Sequence, residues 1–283
     1  MNQELNKTCS IICSYNPEVN NLKELCLVLL NYGTVIIVDN TRNLNKSDIF
    51  DTDNIIIIKP KVNLGTLKAY NLVINQHPEF HFFWLWNQDS MISISDAGKF
   101  LNKSFHLFEN DEKMIATTIY DPKNLGNPLM RKEILIREST TLFNIKRFNS
   151  FSLDFFDEKL FMDYGDWDLS YRIQKAGGNI NQILGISCEH SYGDPEKTIF
   201  GDFYRSSEIR LYMQGLNSIY LVRKHGFLSF ISFLLFIRFF ILPFKNFIFK
   251  NSYSRSKMYF KGILNGIKGE TSSVFIAKLN INI

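Results

Sequence analysis

The sequence contains little cysteine, and none of it is arranged as a CxxC pair. The four cysteines are Cys9, Cys13, Cys26 and Cys188. Cys9 and Cys13 lie on one predicted strand, too far apart along it to form a disulfide bond. We therefore expect buried thiols in a reducing compartment.

A signal peptide and a long uninterrupted hydrophobic run are also missing. The apolar run near the N-terminus is too short for a signal peptide and polar residues surround it, so we expect the body of the protein to be cytosolic. With 283 residues, of which 45% are hydrophobic, the chain can bury a sizeable core. It is long enough for one large domain and an appendage.

Acidic residues are nearly missing from residues 221–270. This stretch carries nine Lys or Arg residues against a single Glu, a net charge of +8. Since the whole chain has a net charge of +4, the remainder carries −4. The stretch is also rich in Phe, so it predicts an anionic surface as partner of the tail. It has no recognisable nucleic-acid-binding motif, and we expect no nucleic acid as partner.

The first ninety residues alternate between short apolar runs and helical patterns. The apolar runs have no polar face, which is typical of strands buried on both sides in a parallel sheet that helices cover. The predicted strands are residues 8–15, 34–38, 55–58 and 82–86, and the predicted helices are residues 18–31 and 65–76. The sequence therefore predicts an α/β fold with a mostly parallel central sheet.

The rest of the chain is less regular. Predicted strands lie at 113–119, 139–145 and 179–188, predicted helices at 166–176 and 206–224, and a loop at 189–195. The helix at 166–176 begins with acidic residues and stops at two glycines, which are common signals for the two ends of a helix.

Polar side chains follow three of the predicted strands at the point where each strand ends. Ser14-Tyr15-Asn16 lie at the end of the first strand, Asp39-Asn40 follow the second, and Asn87-Gln88-Asp89 follow the fourth. In open parallel sheets, ligands bind in the crevice beyond the carboxyl ends of the strands. The aromatic strand 82–86 therefore predicts a rigid support that holds Asp89 at the mouth of a binding crevice.

Several segments resemble glycosyltransferases of family 2, most of all the rhamnosyltransferase branch that builds bacterial surface polysaccharides. The segments are SIICSYNP, VIIVDN, NLGTLKAYN, FWLWNQDS and FFDEKLFMDYGDWDLSYRIQKAGG, followed by HSYG. The resemblance covers residues 8–224. It implies the GT-A nucleotide-sugar-binding fold for a domain at 1–224. The hydrophobic and basic composition of residues 225–283 predicts a C-terminal helical, membrane-associating appendage.

The resemblance implies that Asp89 binds a divalent cation, Mg²⁺ or Mn²⁺, which neutralises the leaving diphosphate. The family usually has Asp-Gln-Asp here, whereas this chain has Asn87 in the first position; Asn can bond a ribose hydroxyl but brings no charge. His190 matches a family histidine that reaches the diphosphate or the metal. The alternative is that Asp89 caps the following helix and that His190 is structural.

The resemblance also implies a nucleotide-sugar site near the strand ends. Asp39 matches the position that contacts the nucleotide base or ribose, and Gly65 would let the backbone approach the diphosphate at a helix start. The alternative is ordinary turn chemistry at these positions. The implied set is Tyr15, Asn16, Asp39, Asn63, Gly65, Asn71, Asn87 and Asp89.

An inverting transfer needs a base that takes a proton from the acceptor hydroxyl. By the resemblance, Asp166 falls on the catalytic base, and Asp168 is the second candidate. Many family members carry Glu-Asp there, whereas Gly165 precedes Asp166 here, so a supporting carboxylate would come from Asp163 or Asp168. The alternative is that Asp in a first helical turn only stabilises the helix.

Residues 227–244, FLSFISFLLFIRFFILPF, form an apolar stretch that Arg238 and Pro243 interrupt. The stretch is barely long enough to span hydrocarbon, and a charge at depth is costly. Because Lys and Arg flank both ends, we expect a helix that lies on the anionic inner leaflet. The alternatives are a helix packed on the catalytic domain and a spanning helix.

Together these features predict an inverting, metal-dependent glycosyltransferase, peripheral on the cytosolic face of a bacterial inner membrane. It would transfer a sugar, L-rhamnose from dTDP-rhamnose, to a lipid-linked saccharide acceptor in O-antigen, capsule or other surface polysaccharide synthesis. Three alternatives stay open: a UDP-sugar donor, a nucleotide-sugar- or glycan-binding subunit without turnover, and a membrane scaffold acting through its basic tail.

Overall fold

A computed structural model describes residues 2–50, 52–119, 135–190, 194–198, 201–247 and 252–280. These residues group into two compact units. The first unit contains the described residues up to Phe156 together with Leu169–His190, and the second contains Asp157–Asp168 together with the described residues beyond His190. The predicted boundary between residues 224 and 225 divides the chain differently, and it stays a prediction.

The first unit consists of short strands that alternate with helices. Its strands are β1 (Thr8–Ser14), β2 (Thr34–Asp39), β3 (Ile55–Ile58), β4 (Phe82–Asn87), β5 (Ser90–Ile92), β6 (Met114–Ile119), β7 (Thr141–Asn144), β8 (Asn179–Ile183) and β9 (Cys188–His190). Its helices are α1 (Asn2–Leu5), α2 (Val19–Leu29), α3 (Lys46–Ile49), α4 (Gly65–Gln76), α5 (Ile94–Asn110) and α6 (Ile145–Ser150). Helix α7 (Gly165–Lys175) begins in residues of the second unit and ends in residues of the first.

Seven strands form the central sheet in the order β3-β2-β1-β4-β7-β6-β8. The strands β3, β2, β1 and β4 run parallel to one another, and β6 runs parallel to β8. Only β7 runs antiparallel to its two neighbours, β4 and β6. The predicted α/β fold, a mostly parallel sheet flanked by helices, is confirmed.

Aromatic side chains of β4 fill the core of the first unit. Trp84 and Trp86 are fully buried, and their ring centroids lie 4.8 Å apart. Trp84 also stacks on Phe100 of α5, with a centroid distance of 5.2 Å. Burying one large apolar side chain contributes about 1.5–3 kcal/mol to stability. The strand is therefore a rigid support for the polar residues that follow it.

Several elements differ from the sequence-based expectation, three of them markedly. The predicted strand 179–188 is two strands, β8 and β9, in two different sheets, and Gly185 turns the chain between them with a φ of +75°. The predicted loop 189–195 includes residues of β9 and β10 (Asp194–Thr198), while residues 191–193 lie outside the described part. The long helix α5 has no counterpart among the predicted elements.

The second unit is largely helical. Its elements are the hairpin of β10 and β11 (Gly201–Arg205), then α8 (Glu208–His225), α9 (Phe230–Phe247), α10 (Ser252–Ile267) and α11 (Ser272–Asn280). The C-terminal region is therefore helical where it is described, as predicted. Within the described ranges, no helix combines the length and the apolar character needed to cross a membrane.

Helices α8 and α10 cross where each of them has a glycine. A Cβ atom on Gly215 would lie 2.3 Å from the carbonyl oxygen of Tyr259, and one on Gly262 would lie 2.0 Å from the carbonyl oxygen of Tyr212. Both obstacles are backbone atoms, so they cannot rotate away as a flexible side chain would. Any side chain at these two positions must push the helices apart.

We expect Gly262→Ala to lower the free energy of unfolding by about 3 kcal/mol, the upper end of typical overpacking costs. Urea unfolding followed by circular dichroism measures the change. Lys257→Ala, an exposed substitution on the same helix, is the control and should change stability little. Equal stability of the two variants would show that the close crossing of α8 and α10 is not required.

Candidate active site

The carboxyl ends of β1, β2 and β4 lie side by side. In the parallel pairing, Ser14 is opposite Asp39 and Cys13 is opposite Asn87. The polar residues that follow these strands are therefore brought to one edge of the sheet, as predicted. This edge is where parallel sheets bind their ligands.

The loop after β1 is fixed through its backbone while its side chains stay accessible. The Gln88 side chain accepts the Tyr15 N–H at 2.6 Å and donates to the Tyr15 carbonyl at 3.0 Å. Asn16 has a φ of +47° and donates its N–H to the Thr41 hydroxyl at 3.4 Å. The side chain of Tyr15 is 55% exposed. Tyr15 and Asn16 are thus available to a ligand without further rearrangement of the loop.

Asp89 lies in the tight turn between β4 and β5 and is half-buried. Helix α5 is capped by Ser93, whose hydroxyl accepts the N–H of Asp96 at 3.1 Å. The alternative that Asp89 caps this helix is therefore wrong. Its position at the end of a buried strand instead agrees with a binding role.

His190 is brought close to Asp89 by strand pairing. Strands β5 and β9 are antiparallel, and Ser90 is directly opposite His190. Opposite residues of such a pair have Cα atoms about 4.5–5.5 Å apart. The backbone of His190 is thus one residue away from Asp89 across the ladder, although the His190 side chain lies outside the described part of the chain.

A buried tyrosine of α4 supports the end of β4. The Tyr70 hydroxyl lies 3.0 Å from the Trp86 carbonyl oxygen and 3.1 Å from Asn87 Oδ1, two acceptors for one proton. Burial raises the pKa of the Tyr70 hydroxyl well above its ordinary value, and the nearby carboxylates of Glu138 and Asp89 add to the rise. The hydroxyl therefore stays neutral and remains a donor to the end of β4.

Glu138 is a carboxylate at this site that the sequence did not reveal. The hydroxyl of its neighbour Ser139 accepts the Asn87 N–H at 3.1 Å and bonds the Ser90 hydroxyl at 2.8 Å. The segment with Glu138 therefore lies against the turn that contains Asp89. No local motif marks Glu138, because only the fold brings these two distant segments together.

The oxygen groups near the end of β4 fit a hard divalent cation that a diphosphate helps to hold. Asp89 and Glu138 offer carboxylates, and Asn87 offers an amide oxygen. Mg²⁺ is commonly bound by one or two carboxylates together with substrate phosphates. Among the side chains that are described, no three His, Cys, Asp or Glu residues are grouped to hold an ion.

Asp39 is fully buried and bonded to its own loop. One carboxylate oxygen accepts the N–H and the hydroxyl of Thr41, and the other accepts the N–H of Leu44 at 2.9 Å. Burial alone would raise the pKa of Asp39, but these bonds outweigh it and hold the pKa below its ordinary value. The structure thus gives Asp39 a turn-forming role, and its contact with a nucleotide stays a prediction.

The start of α4 is shaped by Asn63 and Gly65. Gly65 has a φ of +70°, a region that favours glycine, and it donates its N–H to Asn63 Oδ1 at 2.9 Å. Asn71, further along α4, is buried, and its amide bonds both the N–H and the carbonyl of Phe156. These bonds tie α4 to a neighbouring loop, which is a structural role for Asn71.

Asp166 lies in the first turn of α7, within the second unit. Its Oδ1 accepts the N–H of Trp167 at 2.9 Å. Burial, with a smaller contribution from the negative charge of Asp163, raises the pKa of the Asp166 carboxyl to about 7. A carboxyl with such a pKa is well suited to act as a general base near neutral pH.

The turn before Asp166 has an unfavourable backbone. Asp163 and Tyr164 have φ values of +60° and +66°, a region that costs residues other than glycine about 1–3 kcal/mol each. Arg210 of α8 holds the Asp163 carboxylate with three contacts between 2.7 and 3.1 Å. Gln214 also donates to this carboxylate, and Asn217 donates to the Asp163 carbonyl. Helix α8 thus maintains the turn.

Asp168 has a different environment from Asp166. It is fully buried and accepts hydrogen bonds from Lys224 Nζ at 2.8 Å and from His225 Nε2 at 2.7 Å. A buried carboxylate between two such partners is typical of a structural ion pair, since removing either side leaves an uncompensated charge. The geometry therefore favours Asp166 over Asp168 as the base.

Comparison with known proteins agrees with the family resemblance. No protein-family model matches the chain. Over 240 residues, which make up 76% of this chain and 80% of the relative, the sequence is 28% identical to dTDP-rhamnosyl transferase RfbF of Shigella flexneri. The chain is a glycosyltransferase.

Two solved structures align with a large part of this glycosyltransferase. A structure of S. aureus TarS 1–349 aligns over 92% of this chain and 71% of its own, with 15% identity and a TM-score of 0.46. A structure of GalNAc-T7 with UDP, GalNAc and Mn²⁺ aligns over 64% of this chain and 44% of its own, with 9% identity and a TM-score of 0.48. The glycosyltransferase thus spans less than half of the GalNAc-T7 chain.

Proposed function

We propose that this glycosyltransferase transfers L-rhamnose from dTDP-rhamnose to a hydroxyl of an acceptor saccharide, with inversion at the anomeric carbon. The chemistry rests on Asp166, a half-buried carboxyl in the first turn of α7 whose Oδ1 accepts the Trp167 N–H and whose pKa is raised by burial to about 7. The similarity to RfbF over most of both chains supports the choice of donor.

In this reaction Asp166 takes the proton of the acceptor hydroxyl. The acceptor oxygen forms a bond to the anomeric carbon while the bond from that carbon to the diphosphate breaks, and dTDP leaves. Attack from the face opposite the diphosphate inverts the configuration. Asp163 supports the base from the adjacent turn, where Arg210 holds it.

The donor would bind at the edge formed by the ends of β1, β2 and β4. The exposed side chains of Tyr15 and Asn16 would contact the nucleoside, Asn87 would bond a ribose hydroxyl, and Gly65 would allow the diphosphate to approach the start of α4. Mg²⁺ or Mn²⁺ held by Asp89, with Glu138 and His190 nearby, would neutralise the charge of the leaving diphosphate.

Donor turnover with water as acceptor tests the choice of sugar nucleotide. The purified chain is incubated with Mn²⁺ and either dTDP-L-rhamnose or UDP-glucose, and the released nucleoside diphosphate is measured. We expect slow release of dTDP and little release of UDP. Release of UDP alone would support the alternative of a UDP-sugar donor, and release of neither by the folded protein would contradict the proposal.

We also propose that the acceptor is a lipid-linked saccharide and that the second unit binds the anionic membrane surface where it lies. Helix α10 has an exposed apolar row beside an exposed lysine row, and spacings of three, four and seven residues place each row along one side of the helix. The apolar row is Tyr253, Phe260, Leu264 and Ile267. The lysine row is Lys257 and Lys261 together with Lys268, which directly follows the last residue of the helix. Such a pair of rows is typical of helices that lie in a membrane interface.

Several cations of the tail have partners within the second unit. Arg223 donates to carbonyl oxygens at the end of α10, Lys224 binds Asp168, and Arg255 is buried. Arg223 and Lys224, the cations that precede residues 227–244, thus have partners of their own, and the positive surface proposed for the membrane is the lysine row of α10.

Helix α9 adds a place for a hydrocarbon chain. Phe233, Phe236 and Phe240 are each about half exposed, at 52%, 55% and 51%. A cavity of about 440 Å³ opens among α8, α9 and α10, and apolar side chains such as Phe227 and Phe239 line most of it. We propose that part of the acyl or prenyl chain of the acceptor occupies this cavity.

Replacing all three lysines of the lysine row by Gln is expected to weaken binding to anionic vesicles by roughly 100-fold, because each Lys near such a surface contributes about 1 kcal/mol. Sedimentation with vesicles of phosphatidylcholine and phosphatidylglycerol measures the binding. The control replaces the exposed Lys46, Lys59 and Lys61 of the first unit and should bind normally. Equal binding of both triple variants would contradict the proposed surface.

A further inference from the structure

Arg238 of α9 stands in an apolar stretch of sequence, yet it contacts the turn that carries the candidate base. Its guanidinium lies over the ring of Tyr164, 5.2 Å from the centroid, and over the ring of Trp167 at 5.9 Å. The two rings also contact each other, with centroids 5.3 Å apart. Tyr164 stands two residues before Asp166 in the chain and Trp167 one residue after it. Arg238 therefore contacts residues on both sides of Asp166 in the sequence.

The turn needs support from outside because its backbone is unfavourable at Asp163 and Tyr164. Arg210 of α8 supports Asp163 through its carboxylate. Tyr164 is buried, and Arg238 covers its ring. A guanidinium on an aromatic face is a favourable contact, and more so where water is excluded. The two strained residues are therefore held by two arginines from two different helices.

Charged and titratable groups on α8, α9 and α10 interact with residues 163–168, the segment that contains Asp166. Arg238 is the cation that lowers the pKa of Asp166, against the burial and the Asp163 charge that raise it. Burial raises the pKa of Tyr164 and of Tyr259, so both hydroxyls stay neutral. The groups are Asp163 and Tyr164 in the turn, Arg210 on α8 bound to Asp163, Lys224 and His225 on α8 bound to Asp168, Arg238 on α9 and Tyr259 on α10.

We propose that Arg238 is a positioning residue for the candidate base: by packing on Tyr164 and Trp167, it holds the turn that presents Asp166. The proposal rests on the proposed role of Asp166 as base. Through Arg238, the position of the base also depends on the packing of α9. This is the helix whose exposed Phe side chains are proposed to contact lipid. Arg238 acts through the turn and has no contact with the reacting atoms in this account.

Fluorine NMR of the full chain labelled with 5-fluorotryptophan tests the proposal without any substrate. The chain has three Trp residues, and Trp167→Phe assigns the Trp167 signal. We expect this signal to titrate near pH 7 in the native chain and to stay flat in Asp166→Asn. In Arg238→Met the midpoint should rise by about one pH unit, because a cation that favours the carboxylate is lost.

Two further variants separate positioning from general destabilisation. Arg238→Lys keeps the charge but not the planar stacking, so its midpoint should stay near the native value while the chemical shift of Trp167 changes. Lys257→Met, which removes an exposed cation, should change neither. If Arg238→Met folds and the titration midpoint of its Trp167 signal is unchanged, the proposal is overturned. If Arg238→Met does not fold, a native chemical shift of Trp167 in Arg238→Lys would overturn it instead. Because no substrate is present, retained transfer in Asp166→Asn would refute the base without affecting this test.

Discussion

Replacing Asp166 by Asn is expected to lower the rate of sugar transfer by about 10²–10⁴-fold, the usual contribution of a general base. Asn has nearly the same shape and can still accept the Trp167 N–H, but it cannot take the proton of the acceptor. Binding of the nucleotide should be unchanged. Release of dTDP from dTDP-rhamnose measures the rate, and Asp154→Asn, a change at an exposed side chain, is the matched control.

The pH dependence of sugar transfer by the native enzyme should show the ionisation of Asp166. The base must be ionised, so kcat/KM should rise with pH and level off above about 7, the pKa of Asp166. A pH-independent rate across neutral pH, or full activity in Asp166→Asn, would contradict the assignment of the base.

Stability provides a check that Asp166→Asn is folded. The carboxyl has an ordinary pKa of 3.8 when unfolded and a pKa of about 7 when folded, so the folded state binds more protons between these values. Its contribution to stability is therefore lost as pH rises from about 4 to about 7. Above neutral pH the native chain must bury an ionised Asp166 carboxylate, which lowers its stability. Asn does not ionise, so Asp166→Asn should be at least as stable as the native chain in this range.

Replacing Asp89 by Asn is expected to weaken Mn²⁺ binding in the presence of dTDP by roughly 30-fold, because an interaction with a charged group contributes about 2 kcal/mol. Asn87→Asp should act in the opposite direction, since it adds a carboxylate next to the site. The Tyr70 hydroxyl, which lies 3.1 Å from Asn87 Oδ1, can donate to a carboxylate there as well. Glu138→Gln should weaken binding to a smaller extent than Asp89→Asn.

The signal of free Mn²⁺ in electron paramagnetic resonance measures this binding directly. Asp53→Asn, at an exposed loop position, serves as the control for loss of one carboxylate. Native Mn²⁺ affinity in Asp89→Asn would remove Asp89 from the metal site. A weaker affinity in Asn87→Asp would show that the extra charge does not face the ion.

Much of the first unit could be predicted because its signals are local. The run Ile55–Ile58 and the helix Gly65–Gln76 have the predicted bounds, since apolar composition and a glycine or proline at the border mark them. Helix α5 was equally predictable, because Phe100, Leu101, Phe105 and Phe108 have helical spacing and are buried together. The antiparallel position of β7 in the sheet could not be predicted from the sequence, because strand order depends on pairing between distant segments.

The residues of the candidate site also divide into those that the sequence predicts and those that only the fold reveals. The convergence of Asn16, Asp39 and Asn87 follows from three parallel strands whose ends are polar, which the sequence displays. The contribution of Glu138 near the end of β4 and that of Arg238 at the turn before Asp166 do not, because each comes from a distant segment with no motif of its own. Arg238 in particular stands in a hydrophobic stretch that predicts membrane contact, and only packing shows its aromatic partners.

Calorimetric titration of the full chain with dTDP and with UDP, each with and without Mn²⁺, tests the central claim most directly. The account predicts that dTDP binds, that Mn²⁺ strengthens the binding, and that UDP binds more weakly. Asp89→Asn should lose the effect of Mn²⁺ and keep its fold. Absence of binding by either nucleotide in the folded native chain would contradict the assignment of the strand ends as a donor site.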